Sequence, residues 1–253
     1  MRDARQSKSR SADARRWVVL RRRIGSVVAG ALMVVVAGAA GPAQARDAEG
    51  AERVPEFDFG ACPARAELPA DADPGTWRCE AMEATGHLKV GGVDEPIDRP
   101  IRITFAEGRV DGAFRQVFGD MTAEPIRVGG SPLTLTPQYG GYSDFESDDV
   151  RRGELDLTFA VGLRGVPGGG HACAVGSDRD AVHLVLQDTD PTRVISEEPL
   201  VVAFGAEDRR FAVPCTSGCG PLGRVLDHRL DLPSPVGDNR ISLDAVVGIR
   251  PYE

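Results

Sequence analysis

Short segments in which apolar and polar residues alternate recur along this chain. In residues 101–105, three apolar side chains alternate with an arginine and a threonine. A period of two places every second side chain on the same face of a β-strand. Four further segments show this period, with apolar positions at Leu155, Leu157 and Phe159, at Val182, Leu184 and Leu186, at Leu200, Val202 and Phe204, and at Leu243, Ala245, Val247 and Ile249. Because Gly, Pro, Asp and Ser clusters separate them, the sequence predicts an all-β fold, an antiparallel β-sandwich or barrel.

One segment near the C-terminus has a helical period instead. Its apolar residues fall on one stripe of a helix, and they are Leu222, Val225, Leu226 and Leu230. Pro221 suits the first turn of such a helix, and Pro233 ends it. We therefore expect one short helix of about ten residues beside Cys219.

Two parts of the chain repeat a similar order of features. Cys79 is followed by a His-Leu-Lys-Val segment and a Pro-Ile-Arg-Ile-Thr-Phe segment, and Cys173 by His-Leu-Val-Leu and Pro-Leu-Val-Val-Ala-Phe. This order indicates an internal duplication of residues 79–149 and 173–253, although strands also converge on such patterns by chance. A true duplication would give two similar β-units.

Residues 1–45 have the features of a secretory signal peptide. A basic N-terminal region precedes an apolar stretch at 24–40, and Ala43-Gln44-Ala45 places small residues three and one before a cleavage site. We expect cleavage before Arg46 and export of the mature chain. The alternative is an uncleaved anchor formed by residues 24–40, which would be the only membrane contact. After cleavage we expect a mobile tail at residues 46–58 and a disulfide-bonded β-rich domain at 59–253.

The basic residues of the predicted signal peptide make the whole chain less acidic than the mature chain. Nine of the 30 basic residues but only two of the 38 acids lie in residues 1–45, so cleavage changes the formal charge from −8 to −15. An acidic surface repels phosphate backbones and anionic lipid head groups. We therefore expect no nucleic-acid partner, and instead an extracellular or cell-wall partner whose identity the sequence does not give.

All five cysteines follow the predicted signal, which favours disulfides in an exported protein. Cys62 and Cys79 enclose a short loop, whose closure contributes roughly 3 kcal/mol in the chain-entropy treatment. Among the other three we favour Cys173 with Cys219, because closing a longer loop removes more unfolded-state entropy. Cys215 is then a free thiol. A local Cys215–Cys219 bridge is the alternative.

Several segments resemble uncharacterised secreted proteins of actinomycetes. The resemblance rests on the Ser-Gly-Cys-Gly segment at 217–220, the Leu-Pro-Ser-Pro-Val-Gly-Asp-Asn segment at 232–239, and residues 73–80, 139–145, 173–177 and 211–214. It implies disulfides between Cys62 and Cys79 and between Cys173 and Cys219, and it implies no activity. Cys215 departs from the group, in which a small apolar residue is more usual.

The polar residues do not assemble a recognisable catalytic or metal motif. No Gly-x-Ser-x-Gly occurs, and the four histidines are scattered at His87, His171, His183 and His228. Asp144, Glu146 and Asp148 offer alternate carboxylates to a calcium ion, but glycine is missing from the sixth loop position, and Glu154 falls one place short of the bidentate position. We therefore interpret the run as a solvated acidic turn, keep calcium as the alternative, and expect no cofactor.

These features predict a secreted, non-enzymatic binding or envelope-associated β-domain. The alternative is an extracellular hydrolase acting on polysaccharide, lipid or peptide material. A deep pocket that gathers two or more of His171, His183, Asp144, Glu146 or a serine would favour the hydrolase. Scattered surface positions would favour binding.

Overall fold

The computed structural model describes residues 54–148, 150–164 and 173–252. The predicted signal at 1–45, residues 46–53 of the predicted tail, and His171 lie outside these ranges. The described strands are β1 (Arg78–Val90), β2 (Val93–Val110), β3 (Ala113–Thr122), β4 (Ile126–Arg127), β5 (Leu133–Asp144), β6 (Arg151–Leu163), β7 (Ala174–Val175), β8 (Val182–Asp188), β9 (Arg193–Glu197), β10 (Leu200–Asp208), β11 (Thr216–Ser217) and β12 (Arg240–Pro251). One α-helix within these ranges, α1 (Gly223–Arg229), lies near the C-terminus. The predicted all-β fold with one short helix is confirmed.

The strands form one antiparallel sheet of twelve strands. Its main path runs β11-β7-β6-β8-β10-β12-β1-β2-β3, while β5 pairs with β6 and with β4, and β9 pairs with β10. The last strand, β12, lies between β10 and β1 and joins the two halves of the chain through long ladders. The sheet is not closed into a barrel, since no ladder joins β3 to β5 among the described residues.

Side chains bridge the gap between β3 and β5, which we call the β3–β5 seam. The rings of Phe118 and Tyr139 stack with their centroids 3.7 Å apart. The Gln116 side chain accepts a hydrogen bond from the backbone N–H of Phe145 (2.9 Å) and donates one to Ser143 Oγ (3.4 Å). The curved sheet therefore surrounds one core although its ladder is open.

The apolar positions of the period-two segments form this core. Buried side chains from β1, β2, β5, β6, β8 and β12 belong to one cluster, which includes Ile103, Leu135, Leu157, Leu184 and Val247. On β10 the prediction was less accurate. Val201 and Ala203 are buried, whereas Leu200 is exposed and Val202 and Phe204 are only partly covered. The reason is that Val202 and Phe204 face a cavity rather than close-packed core.

The helix differs from its predicted packing. A 3-10 turn, Gly220–Leu222, precedes α1, so the ten residues are not one continuous α-helix. Leu230 is buried, but Leu222 and Val225 are each 63% exposed. Only part of the predicted apolar stripe is therefore buried. Leu222 lies in the 3-10 turn, whose period differs from that of α1, so its side chain does not continue the stripe of Leu226 and Leu230. No helix within the described ranges has the length and apolarity to cross a membrane.

The cysteines pair as the sequence predicts. Cys62 joins Cys79 at the start of β1, and Cys173 joins Cys219 ahead of α1. Cys215 is free and exposed. Partial desolvation, with the carboxylates of Asp227 and Asp180, raises the pKa of its thiol and so disfavours the reactive thiolate.

The segment before β1 packs on the sheet. Trp77 is 1% exposed and forms a small second core with Leu68 and Ala106. A Cβ added at Gly108 would lie 2.6 Å from the Trp77 indole, so this close approach requires glycine. At the end of the tail predicted for residues 46–58, the Phe57 ring lies against Gly248 of β12.

The Leu-Pro-Ser-Pro-Val-Gly-Asp-Asn segment ends in Asn239, whose side chain connects neighbouring loops. This side chain is buried, and its Oδ1 accepts a hydrogen bond from Gly91 N (3.0 Å) in the β1–β2 turn. Its Nδ2 donates to the carbonyl oxygens of Phe211 (3.0 Å) and Pro235 (2.9 Å). This segment therefore ties three loops together, which is a structural role.

The segments of the predicted duplication fall in β1 and β2 and in β8 and β10. Both pairs are antiparallel, but His87 lies opposite Pro96 in β2, whereas the partners of β10 in β8 begin at Gln187 and Asp188. The duplication stays a prediction.

Candidate functional site

In the acidic turn kept as a calcium alternative, Asp144 and Asp148 accept hydrogen bonds from the backbone of the turn itself. Asp144 Oδ1 accepts the N–H of Glu146 (2.9 Å), and Asp148 Oδ1 accepts those of Val150 (2.8 Å) and Arg151 (2.7 Å). The backbone donors of Arg151 and Val150 lower the pKa of Asp148. Among the described residues, no group of three or more His, Cys, Asp or Glu side chains could hold a metal ion.

His183 lies on the outer face of the sheet, with its side chain half exposed. Its Nδ1 is 2.7 Å from Asp156 Oδ1, and its Nε2 is 3.9 Å from Glu154 Oε2. Tyr142 also donates to Glu154 (3.3 Å). These groups form a surface network, and neither His183 nor Asp144 lines the cavity described next.

A cavity of about 180 Å³, the inner cavity, lies at one end of the core. The inward faces of β1, β2, β8, β10 and β12 supply its walls, because every second residue of each strand points there. Its apolar lining consists of Met82, Phe105, Phe145, Leu186, Val202, Phe204, Ala206, Leu243, Ala245, Val247 and Ile249. Four charged side chains also line it, and they are Arg78, Glu80, Glu107 and Arg152.

Three of these charges form a cluster between two strands. Arg78 on β1 lies opposite Glu107 on β2, and Glu80 is two residues along β1 on the same face. Arg78 Nε is 2.9 Å from Glu107 Oε1 and 3.1 Å from Glu80 Oε1. The side chains of both glutamates are only 11% exposed. Two carboxyl groups therefore share one guanidinium at the edge of an apolar space.

This environment changes the protonation of Glu80. Burial, followed by the charge of Glu107, raises the pKa of Glu80 from 4.5 to about 8, although Arg78 acts in the opposite direction. Desolvation disfavours the charged form of a carboxyl, and a second carboxylate nearby adds repulsion. Glu80 therefore remains largely neutral at pH 7.

The fourth charged side chain, Arg152 on β6, covers the cavity from another side. It donates two hydrogen bonds to Asp188, at 2.7 and 3.0 Å, and its guanidinium carbon lies 4.1 Å from the centre of the Phe204 ring. This bidentate and stacked geometry suits arginine. The charge of Arg152 is thereby neutralised within the protein.

A second space, the outer cleft, adjoins the inner cavity. It has a volume of about 590 Å³ and shares Arg78, Glu107, Phe145 and Ser147 with the inner cavity. Its other lining residues are mostly polar, and they include Arg109 and Glu146. This open cleft therefore brings Glu146 and Ser147 together, two of the groups that would favour a hydrolase, but none of the described histidines lines it. Phe145 is placed between the two spaces by its backbone bond to Gln116 and by its ring, whose centroid is 4.8 Å from that of Phe105.

A larger cleft of about 660 Å³ lies beside β7, and its lining includes Gln138, Ser177, Asp178 and Arg179. Its lining is mostly polar and the cleft is open to solvent, whereas the inner cavity combines apolar walls with buried ionisable groups. Ligand sites typically have the latter composition. We therefore place the candidate site in the inner cavity and the outer cleft.

The sequence reasoning did not find Arg78, Glu80, Glu107 or Arg152. A signal was present, because Glu80 shares a face of β1 with Met82 and Ala84, which are buried. A charged residue on an otherwise inward face marks a functional or paired position. The candidates from the sequence were instead the histidines and the acidic turn, because imidazole groups and alternate carboxylates are common metal ligands.

The chain matches no protein-family model, no curated protein and no solved structure. The site must therefore be interpreted from its own geometry.

Proposed function

We propose that this chain is a secreted, non-enzymatic binding protein that holds a small molecule with an apolar body in the inner cavity. The observation that carries the proposal is the cavity itself, an apolar space of about 180 Å³ at the end of the core that adjoins the outer cleft. At roughly 30 Å³ for each water-sized group, it accommodates a chain of about six heavy atoms. A polar end would then reach the outer cleft.

The carboxyl pair argues against one form of the hydrolase alternative, a glycosidase that acts at this pair. Glycosidases keep their two carboxyl groups at least about 5 Å apart, so that a sugar and its attacking group fit between them. Glu80 and Glu107 instead contact the same guanidinium nitrogen, Arg78 Nε, at 3.1 and 2.9 Å. The Arg78 guanidinium therefore lies between the two carboxyl groups, where a glycosidase would hold the reacting bond, and the arrangement suits recognition of a polar group.

Secretion is supported by the predicted signal and by the two disulfides. Mass spectrometry of protein recovered from the culture medium tests it. The expected mature chain begins at Arg46 and carries two disulfides and one thiol. A chain that keeps residues 1–45 would contradict cleavage.

Titration with 1-hexanol, followed by amide chemical shifts, tests binding. Hexanol matches the estimated length of the cavity, and a ligand of this size binds with a dissociation constant of roughly millimolar or below. We expect shifts at the residues that line the inner cavity. Uniform or absent shifts would refute the proposal.

A matched pair of variants locates the binding. Val202 lines the inner cavity, whereas Val194, its register partner on β9, is 60% exposed. Val202→Phe should fill the cavity and abolish hexanol binding, while Val194→Phe should bind as the unmodified chain does. Equal binding by both variants would place the ligand elsewhere.

A further inference from the structure

The charges around the inner cavity do not balance when both glutamates are ionised. Arg152 is neutralised by Asp188, which leaves Arg78, among the residues that the structure describes, as the one cation available to Glu80 and Glu107. Arg109 and Glu146 lie further out, in the outer cleft. The elements packed on the other sides contribute apolar groups, such as Leu186 of β8, Phe204 of β10 and Ile249 of β12. The cavity thus has one carboxyl more than its cations can satisfy.

We infer that the ligand carries a cationic amine as its polar end, placed against Glu80 and Glu107 with its apolar body in the inner cavity. This inference rests on the proposed binding function. An ammonium group would supply the missing charge and donate hydrogen bonds to both carboxylates. Charge-assisted bonds of this kind are stronger than neutral ones, especially at buried sites.

The walls and the surface agree with a cationic ligand. Phe105 and Phe145 form a tilted pair of rings that lines the inner cavity, and aromatic faces attract ammonium groups. Removal of the signal gives the chain a formal charge of −15, which attracts cations and repels anions over longer distances.

Binding of an ammonium has a consequence for protons. Near neutral pH Glu80 holds a proton, which the ammonium replaces, so binding releases that proton to the solvent. With the pKa of Glu80 at about 8, the release approaches one proton per ligand at pH 7 and becomes small at pH 9. The affinity for the ammonium should rise about tenfold over this range, whereas alkylamines themselves stay charged because their pKa is near 10.4.

Calorimetric titration of the disulfide-bonded chain with three probes tests the inference. The probes are hexylammonium, 1-hexanol and hexanoate, each measured at pH 7 and pH 9 in two buffers of different ionisation enthalpy. We expect hexylammonium to bind at least tenfold more tightly than hexanol at pH 9. We also expect its heat at pH 7 to depend on the buffer, since a proton is released.

The possible results separate the two proposals. If hexanol or hexanoate binds as tightly as hexylammonium, or if hexylammonium releases no proton at pH 7, the cationic class is wrong while the binding function stands. If none of the three probes binds, the binding function is wrong as well.

Two variants assign the effect to Glu80. Glu80→Gln keeps the shape of the neutral carboxyl and should remove both the preference for hexylammonium over hexanol and its rise with pH. Glu83→Gln is the matched control, because Glu83 lies on the outer face of the same strand and pairs with Arg102. A Glu80→Gln chain that still prefers hexylammonium tenfold would overturn the inference.

Discussion

The neutral state of Glu80 makes the stability of the protein depend on pH in an unusual direction. A carboxyl whose pKa is raised by folding stabilises the folded state below its unfolded pKa, and this contribution is lost as the pH rises through the folded pKa. For Glu80 the range extends from about 4.5 to about 8. At about 1.4 kcal/mol for each pH unit, the loss is at most about 5 kcal/mol.

Glu80→Gln isolates this contribution, because glutamine mimics the protonated carboxyl and does not titrate. We expect the variant and the unmodified chain to have similar free energies of unfolding at pH 5. At pH 9 the variant should be more stable by a few kcal/mol, since only the unmodified chain must bury a charge. Urea unfolding at the two pH values, monitored by the fluorescence of Trp77, measures the difference.

The control and the refuting result follow from the same structure. Glu83→Gln on the exposed face of β1 should show a difference from the unmodified chain that does not change with pH. If Glu80→Gln is instead less stable at pH 9, then ion pairing with Arg78 outweighs desolvation, and the reasoning about Glu80 is wrong. If the difference in free energy of unfolding between Glu80→Gln and the unmodified chain is the same at pH 5 and pH 9 within about 0.5 kcal/mol, the reasoning about Glu80 is also wrong.

Two further substitutions test the packing described above. Gly108→Ala places a methyl group within 2.6 Å of a buried indole and should lower the free energy of unfolding by about 1 to 3 kcal/mol. Gly223→Ala in α1 meets only ordinary contacts and should be neutral or stabilising. Equal effects of the two substitutions in urea unfolding would contradict the close approach at Gly108. Asn239→Ala leaves buried backbone groups without partners and should cost about 2 to 3 kcal/mol, measured by thermal unfolding. Asp238→Ala, at the exposed neighbouring position, should change stability by less than about 0.5 kcal/mol, and a similar cost at both positions would refute the role of Asn239.

The fold was largely predictable because period-two alternation is a local signal, and the disulfides were predictable from the spacing of the cysteines. The faces of β2, β6, β8 and β12 follow directly from their apolar residues, and the loop lengths favoured the observed bridges. The open path of the sheet was not predictable, since it depends on side-chain contacts between β3 and β5 that no local pattern encodes. The packing of α1 also escaped prediction, because a 3-10 turn altered its period.

The candidate site was harder to predict than the fold. Its charges come from β1, β2 and β6, and residues 78 and 152 are separated by most of the first half of the domain. Only the register of the strands brings Arg78 opposite Glu107, and only the curvature of the sheet brings Arg152 to the same space. The candidates from the sequence were instead the scattered histidines and the acidic turn, and the structure places the contacts of His183 and Asp148 on the surface.

The β3–β5 seam has a consequence for local opening of the protein. Elsewhere, separating two neighbouring strands breaks a ladder of backbone hydrogen bonds. Separating β3 from β5 at the seam disrupts only the Phe118–Tyr139 ring stack and the two hydrogen bonds of the Gln116 side chain. Local opening free energies follow the number of such contacts. Amide hydrogens at the seam should therefore exchange with solvent faster than those of β1 and β12. The part of the sheet that opens most readily then lies beside Phe145, where the inner cavity meets the outer cleft.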